Sequence, residues 1–199
     1  MGKCRPLLAD EAEALKTHTH DLRDRCLLIA LEKTGYRASE IASLKTEDVF
    51  DFTSKTIKPR VQVRTAHMKK GVGRMAISIY PDWRQSLVLW LAKLQQSGYL
   101  RPGIPLWLSR KYIAKLYGLA RETIWRLVRQ ASIRAGVDPD RVGCHSYRKL
   151  FYVRVYEEMK QDLIKTQRIM GHKEVSSTQT YLQSIADDAD LEAIILRAA

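Results

Sequence analysis

The run His145-Ser146-Tyr147-Arg148 is followed by Gly171-His172 and, nine residues after that histidine, by Tyr181. Three residue types that handle phosphate stand there in one order. An arginine offers a rigid fork of donors that matches the oxygens of a phosphodiester. A histidine moves a proton near neutral pH. A tyrosine hydroxyl, inert at its ordinary pKa of about 10, becomes a nucleophile when a neighbour takes its proton. Each is ordinary alone: a helical arginine is most often a cap or a surface ion pair, and a lone tyrosine is most often core or rim. The order and the spacing lift them above that background.

Working outward, a second arginine lies far upstream in Gly35-Tyr36-Arg37-Ala38-Ser39-Glu40-Ile41-Ala42-Ser43-Leu44, and a basic turn, Met68-Lys69-Lys70-Gly71, falls between the two regions. With these in view the chain resembles the catalytic domain of the tyrosine recombinases, the lambda-integrase-like family of site-specific DNA recombinases. The family pattern is a Gly-x-Arg-x-x-Glu segment, a hairpin lysine, a His-x-x-Arg box, then Gly-His and a tyrosine nine residues on. Arg37, Lys70 (or Lys69), His145, Arg148, His172 and Tyr181 fall at those places in order, over a stretch from about Asp10 to the C-terminus.

The resemblance implies roles. Arg37 and Arg148 clamp the non-bridging oxygens of the scissile phosphate. Such a pair stabilises a phosphorane, where negative charge concentrates, more than the ground state. Glu40 orients Arg37, Lys70 protonates the departing 5′-oxygen, and His145 assists proton transfer or hydrogen-bonds the phosphate. His172 donates to a non-bridging oxygen, and Tyr181 is the nucleophile. Tyr147 is its nearest competitor. Cys144 adjoins His145, but nothing else points to a thiol protease. No acidic pair of metal-ligand type accompanies the set, so no metal, ATP or other cofactor is expected.

Composition agrees with a polyanionic partner. In 199 residues, 34 Lys and Arg against 22 Asp and Glu leave a formal charge of +12, which attracts nucleic acid and speeds encounter with it. The length suits one core. No apolar run approaches the roughly 18 to 20 residues of a membrane span, and Met1-Gly2-Lys3-Cys4-Arg5-Pro6 lacks the apolar centre of a secretion signal. Cys4, Cys26 and Cys144 are scattered and odd in number, which favours neither zinc nor disulfides. A cytoplasmic, reduced setting is expected. His18 and His20 have no third ligand near them in sequence and receive no role.

Periodicity predicts an α+β fold, mostly helical, with a small three-stranded antiparallel sheet. Helices are expected after Asp10, over about Asp21–Lys33, Ala38–Leu44, Pro81–Gln96, near Lys111, and over about Glu122–Ala135, His145–Met159, Asp162–Met170 and Ser177–Ile185. Strands are expected over Asp48–Phe52, Ile57–Val63 and Arg74–Tyr80. The segment Ile113–Leu127 also has the spacing of a helix-turn-helix, which would aim Arg121, Thr123 and Arg126 at a major groove. The resemblance instead makes it the helix before the His-x-x-Arg box, with Arg121, Arg126 and Lys69 as DNA contacts.

The reading is a single catalytic domain over 1–199 that cleaves and rejoins double-stranded DNA through a 3′-phosphotyrosyl link, as an integrase of a mobile element would. Residues 1–9 form a linker or tail, and the family's N-terminal core-binding domain is expected to be absent. Residues 187–199 form a last helix that the resemblance packs in trans, which makes the protein a monomer when free and a tetramer on two DNA sites. The alternatives are a type IB topoisomerase and a DNA-binding regulator built on the 113–130 segment.

Overall fold

Helix α2, Leu22–Thr34, is the axle of the molecule. Asp21 accepts from the Asp24 amide at its start, and Gly35 ends it at φ +58, a left-handed cap that glycine adopts without penalty. Leu27, Leu28, Ala30 and Leu31 are fully buried, so apolar residues face every side, as expected of a helix packed all round. Helix α1, Ala9–Thr17, lies beside it. The computed structural model describes residues 4–64, 76–111 and 113–170, together with Ser176 and Gln179.

Four further helices are close to the sequence reading. Helix α3, Ala38–Ala42, starts at Arg37. Helix α5, Pro81–Gln96, buries Trp83, Leu87, Trp90, Leu91 and Leu94 against α2. Proline at its first position has the φ a helix needs and lacks only an amide that would be unpaired there. Helix α7, Cys144–Glu158, also packs on α2 and on α8, Leu163–Met170. Of the helix expected over 177–185, only Gln179 is among the described residues, and it is helical.

Three expectations need correction. Asp48 and Val49 are not strand but the end of a short helix, α4, Thr46–Val49. The Asp48 carboxylate accepts from the Lys45 amide at 2.8 Å, and acidic residues fill the first turn, a start signal that outweighs the β-branched run. The three-stranded sheet resolves into two antiparallel pairs: β1, Phe50–Asp51, with β2, Thr56–Ile57, and β3, Arg60–Val61, with β4, Ile77–Ser78. The expected middle strand is divided at Lys58-Pro59, where proline has no amide to donate. Hydrogen bonds from Lys58 to Val49 and from Ile79 to Pro59 carry the pairing across the break.

The helix-turn-helix is the third. Ile113–Lys115 is only a 3-10 turn, and Leu116 leaves it at φ 54. The chain then pairs backwards: the Ser109 amide donates to the Tyr117 carbonyl and the Leu119 amide to the Trp107 carbonyl, both at 2.8 Å. Helix α6, Arg121–Arg134, therefore follows an antiparallel return and packs on α1 and α3. The reader helix of a regulator has no first helix behind it.

Candidate active site

The two arginines picked from sequence are brought together by the turn between α2 and α3. Arg148 sits in the second turn of α7 and is 3% exposed. Its Nη1 donates to the Gly35 carbonyl at 2.5 Å, a contact between positions 113 apart in the chain, and its guanidinium lies 4.4 Å from the centre of the Tyr152 ring. Arg37 stands two residues beyond Gly35. Its backbone amide donates to Glu40 Oε2 at 2.7 Å and its Nη1 to Oε1 at 2.8 Å. Glu40 is 1% exposed, so a buried carboxylate fixes both the main chain and the side chain of a half-exposed arginine.

His145 lies in the first turn of α7, on the exposed side. Helix amides and the positive end of the helix dipole gather there, an arrangement that favours anions. The Ser146 hydroxyl accepts from the Gly143 amide at 3.1 Å and anchors that first turn. Partial burial of the imidazole, then the charges of Arg148, Arg37, Lys149 and Arg121, hold its pKa below the usual 6.5. The ring is thus a neutral base in a cationic neighbourhood, able to accept a proton and to leave an anionic ligand to the arginines.

Tyr147, the other tyrosine of the sequence reading, is shut into the core. It is 0% exposed, and burial, followed by the charges of Glu32 and Cys144, raises its pKa well above 10. Burial likewise pushes the Cys144 thiol up to about 12. Arg121 and Arg126 are exposed on α6; Arg121 pairs with Glu122 at 3.2 Å, and Arg126 donates to Thr123 Oγ1 at 3.4 Å. Lys69, Lys70, His172, Tyr181 and the segment 187–199 lie outside the described residues.

Sequence reasoning named Glu40 as the residue that orients Arg37 but missed the parts that hold Arg148. Tyr152, four residues after Arg148 and so on the same helix face, could have been read from spacing. Gly35 could not. A Cβ there would stand 2.3 Å from Phe151 Cδ1 and 3.1 Å from Phe151 Cβ, so α7 approaches the α2–α3 turn at a distance only glycine permits. Next to it, the buried Tyr36 donates its hydroxyl to the Val61 carbonyl at 3.2 Å. That bond ties the same turn to β3, the strand that leads toward Lys69 and Lys70.

Among the described residues no group of three or more His, Cys, Asp or Glu is placed to hold a metal, and no helix is long and apolar enough to cross a membrane. Mostly helical, with two small antiparallel strand pairs among the described residues, the fold brings Arg148 against the turn that carries Arg37. The chain belongs to the phage integrase family, which it matches over residues 6–187.

Two relatives are named tyrosine recombinases. XerC of Erythrobacter litoralis (strain HTCC2594) is 29% identical over 187 residues, covering 93% of this chain and 53% of the relative. XerD of Yersinia pestis is 26% identical over 167 residues, covering 81% and 50%. The chain thus spans about half the length of the curated relatives it matches. Among solved structures it is similar to XerA recombinase, with a TM-score of 0.68 at 24% identity over 91% of this chain and 59% of that one. It is also similar to XerH site-specific recombinase bound to its difH substrate before cleavage, with a TM-score of 0.68 at 20% identity over 90% and 51%. These likenesses establish the fold.

Proposed function

We propose that this chain is the catalytic domain of a site-specific DNA recombinase that cleaves and rejoins strands through a 3′-phosphotyrosyl intermediate. One observation carries the reading: Arg37, His145 and Arg148 converge at the start of α7, with Arg148 tied to the turn that carries Arg37 and with the His145 pKa lowered by burial and by the cations around it. Such a site takes a phosphodiester. Arg37, oriented by Glu40, and Arg148 would bind the non-bridging oxygens and stabilise the phosphorane. His145 would take the proton of the Tyr181 hydroxyl or hydrogen-bond the phosphate, and His172 would donate to an oxygen.

The tyrosine oxygen then bonds to phosphorus as the bond to the 5′-oxygen breaks, and Lys70 (or Lys69) supplies the proton to that leaving group. The ester energy stays in the protein–DNA link, so a 5′-hydroxyl from another strand can reverse the step without ATP or metal. Double-stranded DNA is the partner, with Arg121 and Arg126 of α6 and Lys69 as backbone contacts. The protein would act in the cytoplasm, as a monomer when free and as a tetramer on two sites, with residues 187–199 packed in trans.

A nicked suicide duplex tests the reading. Wild type is expected to form a covalent adduct, and Tyr181→Phe to form none while binding duplex with nearly unchanged affinity, because only the nucleophilic oxygen is lost. An adduct that persists in Tyr181→Phe rejects Tyr181 as nucleophile. A recombined product from two sites separates a recombinase from a topoisomerase.

A further inference from the structure

His18 and His20 line a groove of about 480 Å³ enclosed by the α1–α2 turn, the loop at Arg110 and the side of α6. Its walls differ in charge balance. On the α2 side, Arg23 pairs with Asp24 and donates to the Leu108 carbonyl at 2.7 Å, and Arg110 pairs with Asp21 at 2.5 Å. That wall neutralises itself. On the α6 side stand Thr123, Arg126, Gln130 and Arg134, spaced by three, four and four residues and so aligned in one stripe. All four can donate hydrogen bonds. Among the described residues neither Arg126 nor Arg134 forms an ion pair, and the only hydrogen bond of Arg126 is the 3.4 Å contact to Thr123 within the stripe. His18 uses Nδ1 on the Ala14 carbonyl at 2.9 Å, which leaves Nε2 for another partner.

We propose that this groove is a second anion site, which takes the phosphate groups of a ligand carrying more than one of them. A concave, donor-lined wall focuses positive potential, and two guanidinium forks match phosphate oxygens. Arg126 and Arg134 start about 12 Å apart along the helix axis, so each can take a different phosphate group of one ligand. Two sources fit that chemistry: the backbone of DNA extending from the active site, since α6 begins at Arg121 beside His145, and a free diphosphate. The DNA source rests on the recombinase reading; the free source does not.

Two measurements on the whole chain test it: pyrophosphate titration by calorimetry, and binding of a short duplex across a salt series. Arg134→Ala, alone and with Gln130→Ala, is compared with Arg101→Ala, which removes an equal charge from an exposed loop position outside the groove. Among the described residues Arg134 is exposed and forms no hydrogen bond or ion pair. If the source is free phosphate, wild type binds pyrophosphate and Arg134→Ala weakens it about tenfold, the loss of one charge-assisted hydrogen bond. If the source is DNA, pyrophosphate binds no variant, while Arg134→Ala lowers the salt slope of duplex binding by about 1 and Arg101→Ala leaves it unchanged. If Arg134→Ala behaves as Arg101→Ala does in both measurements, the groove is no site. Absence of a covalent adduct on the suicide duplex would overturn the recombinase reading and leave the pyrophosphate result standing.

Discussion

The two ends of α7 carry arginines in opposite surroundings. Arg154, near the C-terminal end, donates to Glu32 at 2.7 Å, and Lys16 reaches the same carboxylate at 2.8 Å. Glu32 is 3% exposed. Burial alone would raise its pKa, but the hydrogen bonds from Lys16 and Arg154 more than offset this and hold it below the ordinary value. Arg148, less than two turns earlier, has among its contacts the Gly35 carbonyl and the Tyr152 ring, groups that orient a guanidinium without a charge of their own. A buried carboxylate that holds Arg154 and Lys16 makes a structural joint.

The largest effect that tests this contrast is Arg148→Lys. A point-like ammonium cannot reproduce a two-pronged contact, so cleavage should fall about 100-fold or more, the scale of one lost transition-state donor, with thermal stability little changed. Single-turnover cleavage within about threefold of wild type would show that the charge alone suffices. At the other end, Lys16→Met removes one partner of a buried carboxylate and should cost about 3 kcal/mol of stability, while the folded fraction cleaves at the wild-type rate. Chemical denaturation and the same cleavage assay read the two halves of that expectation.

Gly35→Ala joins the two behaviours in one residue. The left-handed φ costs alanine about 1 kcal/mol, and its Cβ displaces Phe151, so stability should drop modestly. Because the same residue's carbonyl holds Arg148, cleavage should drop about tenfold. Adding Phe151→Ala relieves the collision, and the double variant should regain cleavage without regaining stability. Recovery of neither would mean that Gly35 serves the α2 cap alone.

The smallest expected effect is in pH. Because the folded state disfavours protonated His145, the neutral form persists below pH 6.5 and protonation sets in only at lower values. The acid limb of the cleavage rate assigned to His145 should therefore lie below 6.5, and Arg37→Gln, which removes one of the cations, should move it toward that value. An acid limb above 6.5 in wild type would contradict the cationic neighbourhood.

What the sequence determined by itself is local. Helix α5 begins at Pro81 and ends at Gln96 as its pattern predicts, and α2 stops at Gly35, because caps, proline and glycine act within a few residues of where they stand. The order of Arg37, His145 and Arg148 was also legible, since a family pattern is a linear arrangement. Asp48 and Leu116 mark where that reading stopped: one became a helix cap rather than a strand residue, the other the bend of an antiparallel return with Trp107–Ser109, seven to nine residues back. Only the tertiary structure decided what holds Arg148 and which tyrosine is shut away. Gly35 meets Arg148 and Phe151 across more than a hundred residues of chain, and Tyr147 is buried by the packing of α7 on α2. Contacts of that kind depend on which faces of distant helices meet, which no single segment encodes.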